Sequence, residues 1–322
     1  MGPKTPVPEQ DSFRQPLREQ INLKHPLVRL IVDTTVMEKA IAHPTDSRLL
    51  ERCRGHLVKA AARHGLKLRQ NYNREAPRLG LQIGRYAHAE QYKRLRKALR
   101  SRVGRVMRDV ERQVAQVADS GRAELQELID RTKRILSQKP KDKNRLYALH
   151  APEVECLAKG NARIPYEFGV KVSITTTHKE GLVVGMRSMP GNPYDGHTLA
   201  EAPEQAVILS DTTPDVAIVD RGYKGVAIDG VKIYHPGLRR GITRGLRAMI
   251  RRRSAIEPAI GHMKTDGKLD RNWLKGALGD AMHAVLCGAG HNLRMILRKL
   301  RLFCVFVLAA LLNRCIAADR TA

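Results

Sequence analysis

Acidic residues are in short supply in this chain of 322 residues: 32 Asp and Glu face 58 Lys and Arg, for a formal net charge of +26. A surplus that large repels itself in the compact state unless a polyanion lies against it, so nucleic acid is the expected partner. Cysteine is sparse and unpatterned. Cys53, Cys156, Cys287, Cys304 and Cys315 are odd in number, scattered and never form a C-x-x-C pair. That excludes a disulfide framework and a cysteine zinc site, and it makes a reducing cytoplasm the expected compartment. A long apolar run is missing too. The most apolar stretch, "LFCVFVLAALL" at 302–312, falls short of the roughly 20 residues a bilayer requires, so no membrane partner is expected and the stretch reads as a buried terminal helix. The opening "MGPKTPVPEQDSF" lacks the apolar segment of a secretory leader, so export is not expected.

At 42% hydrophobic residues the chain has material for a real core. Residues 1–26 are polar and proline-bearing and read as a flexible N-terminal remnant. "LVRLIVD" at 27–33 is an apolar, β-branched run closing on Asp33. From 47 to 145 the period becomes helical, which predicts a basic helical insertion. Leu50, Cys53, Leu57 and Ala61 form one stripe, and Gly65 is a plausible stop. In the next helix Tyr92, Leu95, Leu99, Val103, Val106, Val110, Val114 and Val117 make a heptad-like seam, and the stretch 121–136 supplies a partner helix. The seam is short and contains Gly104, so an intramolecular hairpin is expected rather than a dimerising coiled coil. Its other face carries Arg94, Arg96, Lys97, Arg100, Arg102, Arg105 and Arg108 with only Asp109 nearby. Charged faces are often merely solvated, but cations of one sign make poor salt-bridge design and reasonable phosphate-backbone design.

After "SQKPKDKNR" at 137–145 the pattern turns to strands: "YEFGVKVSI" and "LVVGM" alternate, with "TTTHKEG" as their hairpin loop. In "GNPYDGHTLAEA", Thr198 and Glu201 form a capping box that predicts a helix running towards Ile208, with Pro203 able to shorten it. "AIVDRGYKG" then repeats the opening device, a short buried strand ending in Asp220 before a turn. Alone, such an aspartate most often caps a turn or helix. A strand "VKIY" at 231–234, a basic helix from about Thr243 and an apolar helical stretch at 275–312 complete the order.

Without the insertion, the order is strand ending in Asp33, strand, strand, helix, strand ending in Asp220, strand, helix. That order matches the ribonuclease H-like core, an α/β mixed sheet whose first and fourth strands are neighbours. The expected domains are this core at 27–46 and 146–264, the insertion at 47–145 and C-terminal helices at 265–322. Asp33 and Asp220 are then expected side by side, and Glu257, on the helix after the fifth strand, is the candidate third carboxylate. Three gathered carboxylates raise one another's pKa; two Mg²⁺ ions, with Mn²⁺ as substitute, relieve this and clamp the attacking and leaving oxygens of an in-line phosphoryl transfer. In "RSAIEPAIGHMK", Arg253, Glu257 and Lys264 share one helical face, setting cations beside the scissile phosphate.

The stretches "VDTTVMEKAIAHPTD", "LHAPEVECLAKG", "PYEFGVKVS", "GNPYDGHTL", "DRGYKG", "AIEPAIGHMK" and "RNWLKGALGDAMHAVLCGAGHNLRMIL" resemble bacterial insertion-sequence transposases of the DDE superfamily, in the group named after insertion sequence five. The likeness runs from Asp33 to about Leu302. It implies Mg²⁺-dependent cleavage and strand transfer at terminal inverted repeats of double-stranded DNA, assembly as a homo-oligomer on DNA, and a place in the bacterial cytoplasm with the nucleoid. Asp33, Asp220 and Glu257 match the DDE triad, and Arg253 and Lys264 match the basic signature positions. Two departures stand out. Ile250 occupies the position where the signature usually carries Tyr, and "DSFRQPLREQINLKHPLVRL" runs almost directly into "IVDTTV", so an internal deletion within the end-recognition region is expected. The competing readings are a catalytically inactive, deleted derivative that only binds DNA, and a ribonuclease H-like nuclease or resolvase.

Other residues take plainer readings. His150, Glu153, Glu155 and Cys156 fit no zinc spacing. Asp195 and His197 are expected to serve turn geometry and capping ahead of any catalytic role, and Asp46 to cap the helix at "SRLLERC". His262 fits helix packing as well as a site beside Glu257, and Trp273 is expected in the core rather than stacked on a base.

Overall fold

The computed structural model describes residues 29–85, 90–139, 141–158, 165–210, 213–238 and 241–319; the expected flexible segment 1–26 lies outside them. The chain divides into two compact units, one spanning Lys39–Val170, the other formed by the residues up to Glu38 together with those from Lys171 onward.

Strand β1 (Arg29–Glu38) is followed by the helices α1 (Asp46–Arg63), α2 (Glu75–Arg85), α3 (Glu90–Gln113) and α4 (Asp119–Ser137). Then come β2 (Glu155–Ala158), β3 (Tyr166–Thr177), β4 (Val183–Met189), the short helices α5 (Asp195–Thr198) and α6 (Glu204–Ser210), β5 (Val216–Ile218) and β6 (Lys232–Tyr234). Helices α7 (Arg244–Arg251), α8 (Ile256–Thr265) and α9 (Gly276–Asp319) close the chain. The six strands form one mixed sheet in the order β2-β3-β1-β5-β6, with β4 paired to β3. Pairs β1/β5 and β5/β6 are parallel, and β2/β3 and β3/β4 antiparallel.

The helices of the unit Lys39–Val170 are held together where their apolar stripes meet. Leu57, Ala61, Val106, Val110, Leu125 and Ile129 interlock across α1, α3 and α4, so the seam on α3 is an intramolecular one. Helix α1 is capped by Thr45, whose hydroxyl accepts from the Arg48 N–H at 3.4 Å. Asp46 is therefore not the cap expected of it: it lies in the first turn and pairs with Arg96 at 2.5 Å and Arg145 at 2.8 Å. Gly65, with φ +70°, follows the helix end in the left-handed conformation that halts it.

In the other unit, alternation along β1 and β5 builds two cores. Ile31 and Ile218 pack with Val172, Ile174, Ile256, Met263, Ala284 and Cys287 on one face. Val32, Ala217 and Val219 pack with Leu199, Ala202 and Tyr223 on the other. The helix expected from Thr198 to Ile208 is instead two, α5 and α6, with Pro203 just before the second, because proline has no N–H to donate within a helix. Trp273, expected in the core, is 58% exposed, with the Arg271 guanidinium over its ring at 5.6 Å. The terminal helix is also corrected. Ala284 and Cys287 are buried, but residues 296–311 are all exposed, and these include 302–311 of the stretch read as buried. Among the described residues no helix is long and apolar enough to cross a membrane.

Candidate active site

The register of β1 against β5 sets Arg29 opposite Val216, Leu30 opposite Ala217 and Ile31 opposite Ile218. Carried two residues further, it brings Asp33 level with Asp220. Both aspartates have the parity of Ile31 and Ile218, so they project on the face covered by α8. Ile256 of α8 is buried in that same core, and the next residue, Glu257, opens the helix at the rim. A carboxylate in a first turn is favoured by the helix dipole, and Pro258 beside it costs no helical bond there.

Arg253 joins the three. Its Nη1 lies 3.2 Å from Asp33 Oδ2, and its Nη2 lies 3.3 Å from Glu257 Oε1 and 3.8 Å from Asp220 Oδ1. The short 3₁₀ segment Arg252–Ala255 that carries Arg253 is tied down by its neighbour: Arg252 donates to the carbonyls of His178 at 2.8 Å and Lys179 at 2.5 Å. Exposure rises across the cluster from Asp33 (17%) through Asp220 (50%) to Glu257 (63%), so the site is closed at the sheet and open towards the helix. Burial pushes the Asp33 carboxyl above its ordinary value, and Asp220 and Glu257 push the same way against the Thr34 N–H and Arg253.

Each aspartate is also held by its successor. The Thr34 N–H donates to Asp33 Oδ1 at 2.8 Å and the Arg221 N–H to Asp220 Oδ1 at 2.7 Å, the latter within the turn that caps the 3₁₀ segment Arg221–Tyr223. The carboxylates converge on a guanidinium rather than on one another, and among the described residues no group of three or more His, Cys, Asp or Glu stands at metal-holding spacing. As donors they are hard oxygens, the set that suits Mg²⁺ or Mn²⁺.

The remaining sequence candidates divide. Lys264 is half-buried on α8, seven residues or about 10 Å of helical rise from Glu257. Ile250 sits half-buried in the last turn of α7. On α3, Arg94, Lys97, Arg105 and Arg108 are exposed, and their spacing sets them along one stripe. Arg96 and Arg100 are not part of that surface: Arg96 is engaged by Asp46, and Arg100 is half-buried and donates to the Leu136 carbonyl of α4. Asp109 turns inward, buried, and accepts from the Arg69 N–H at 2.7 Å, so it does little for the outer stripe. His262 pairs with Asp266 on an exposed turn at 3.0 Å.

Three residues escaped sequence reasoning: Thr34, Lys171 and Arg252. Asp195, read mainly as a turn residue, stands beside the site, its Oδ1 accepting from Thr34 Oγ1 at 3.1 Å and Lys171 Nζ at 3.0 Å. Only the polar cluster in "NPYDGHT" signalled it.

No protein-family model matches the chain. A Rhizobium meliloti protein described as "Uncharacterized protein ORF8 in nfe locus" is 54% identical over 66 residues, which is 20% of this chain and 32% of that protein. The chain therefore matches about a third of the length of that relative. No solved structure matches.

Proposed function

We propose that this protein is a DNA transposase of the DDE type, built on a ribonuclease H-like sheet, that cleaves and joins strands at insertion-sequence ends. The observation that carries the reading is the convergence of Asp33, Asp220 and Glu257, from three distant segments, on one guanidinium. The three carboxylates come from the ends of β1 and β5 and the start of α8, and an in-line phosphoryl transfer assisted by two divalent ions uses such a set to clamp the attacking and leaving oxygens. The three carboxylates would hold divalent ions of the Mg²⁺ class, which supply Lewis-acid charge at the phosphate and ease ionisation of an attacking water or 3′-hydroxyl.

The chain's own residues set the rest. Asp33, half-buried and fixed by Thr34, is the rigid floor, and Asp220 and Glu257 line the open side where a phosphodiester can approach. The attacking oxygen forms a bond to phosphorus as the bond to the leaving oxygen breaks, which leaves a 3′-hydroxyl and a 5′-phosphate after hydrolysis. Arg253 offsets part of the cluster's negative charge in the absence of substrate and is a candidate contact for phosphate in its presence. The net charge of +26 and the cations of α3 supply the attraction for duplex DNA.

A second reading, a DNA-binding derivative without catalysis, is favoured by one observation: Arg253 already takes the central position among the carboxylates. One experiment separates the two. Supercoiled plasmid carrying the DNA that flanks this gene is incubated with the chain and Mg²⁺, with Asp220→Asn as control. Cleavage at the flanks that Asp220→Asn abolishes supports the transposase. Binding of equal affinity by both proteins, with no cleavage by either, supports the derivative.

A further inference from the structure

We infer that Tyr194 and Asp195 act as a brace that positions the two catalytic aspartates. The inference rests on the reading that Asp33 and Asp220 gather divalent ions. Both residues sit at the start of α5, far in sequence from either strand, and each reaches a different strand end. Asp195 Oδ1 accepts from Thr34 Oγ1 at 3.1 Å, and Thr34 is the residue whose N–H fixes Asp33 Oδ1. The Tyr194 hydroxyl donates to the Gly222 carbonyl at 2.5 Å, in the 3₁₀ turn whose first N–H fixes Asp220 Oδ1.

The brace is itself held. Lys171 Nζ donates to Asp195 Oδ1 at 3.0 Å and to the Pro193 carbonyl at 2.7 Å, which anchors the segment to β3. Thr198 Oγ1 closes the turn on the Asp195 carbonyl at 2.8 Å. Gly196 leaves no slack: a Cβ there would stand 2.7 Å from the Tyr194 ring and 2.9 Å from Val226. Tyr223, 1% exposed, fills the space behind, and burial together with Asp195 and Asp33 pushes its phenol up. A polar pair held from both sides, touching Thr34 directly after Asp33 and Gly222 two residues beyond Asp220, is more than turn geometry needs. It has the form of the outer contacts that orient metal-holding carboxylates, whose loss typically weakens metal binding ten- to a hundredfold.

The test titrates the full chain with Mn²⁺, followed by the paramagnetic signal of the free ion, in wild type, Asp195→Asn, Tyr194→Phe and Thr34→Val. Asp220→Asn marks loss of the site. We expect Asp195→Asn and Thr34→Val each to weaken Mn²⁺ binding by about tenfold or more. Cleavage should need correspondingly more metal and recover near-normal rates at saturation. Thr34→Val keeps the side-chain shape and serves if Asp195→Asn fails to fold. Wild-type Mn²⁺ affinity in folded Thr34→Val and Tyr194→Phe overturns the brace, as does Mn²⁺ binding indifferent to Asp220→Asn. Mn²⁺ binding that depends on both Asp220 and Thr34, in a chain that cuts no DNA, supports the brace while removing the transposase reading.

Discussion

Arg253 Nη1 lies 3.2 Å from Asp33 Oδ2, although the two residues are 220 positions apart in the chain. The pair is shielded on both sides, with 15% and 17% of the side chains exposed. One cation thus offsets part of the cost of gathering three anions at the ends of β1 and β5.

Arg253→Gln should therefore loosen the site in the absence of metal. The expected result is a melting temperature lower by a few degrees in chelator, with Mg²⁺ recovering more stability than it adds to wild type. Differential scanning fluorimetry with and without Mg²⁺ measures both. Equal metal-induced shifts in the two proteins would refute the role given to Arg253.

Asp33 gives a pH signature. Burial holds its folded pKa above the ordinary 3.8, so the folded chain keeps this proton more tightly than the unfolded chain does. The contribution to stability is whole below 3.8 and is lost as pH rises through the folded value. Asp33→Asn should flatten that decline in chelator and abolish cleavage. Melting temperature against pH for the two proteins, with no difference in slope on the acid side of neutrality, would contradict it.

The cations of α3 fall into two groups with different expected phenotypes. Lys97→Ala or Arg108→Ala should leave stability unchanged and lower the dependence of log K on log salt by about 0.9 for each DNA phosphate no longer neutralised. Arg100→Ala should do the reverse, costing a few degrees of melting temperature through the Leu136 carbonyl it leaves unmet. Filter binding across a salt series distinguishes them.

What could be read from residue order was strand sequence and parity. Ile31, Asp33, Ile218 and Asp220 share one alternation, and parallel pairing of their strands does the rest. The strands at 182–186 and 231–234 and the stop at Gly65 were legible for the same local reason. Features set by remote partners were not. Nothing in "YKRLRKALR" separates Arg96 and Arg100 from Lys97, because the distinction lies in Asp46 and Leu136, which are distant in sequence. Helix α2 was missed because Pro77, Gly80 and Gly84 weaken its local signal while buried Ala76 and Ile83 hold it in place. The apolar run near the C-terminus was misread because hydrophobicity reports a preference for burial, not the presence of a surface to meet it.

That run yields the fourth prediction. Leu300, Leu302, Phe303, Phe306 and Leu308 are each more than half exposed. Deleting residues 300–322 should leave the melting temperature of the rest within a degree or two and reduce concentration-dependent association. Light scattering and calorimetry on the shortened chain check both parts, and a large loss of stability would show that the arm has a partner within the fold.

The position of β1 in the sheet has a consequence for synthesis. It is made first among the described strands, yet it ends up between β3 and β5, so the partners it takes in the sheet exist only once residues 166–177 and then 216–218 have emerged. In the meantime the helices from Asp46 to Ser137, whose contacts are short-range, can fold on the growing chain and keep that segment out of competition for the exposed strand. Asp33 therefore leaves the ribosome long before Asp220 and Glu257 exist, and an incomplete chain carries the first carboxylate of the cluster without the other two.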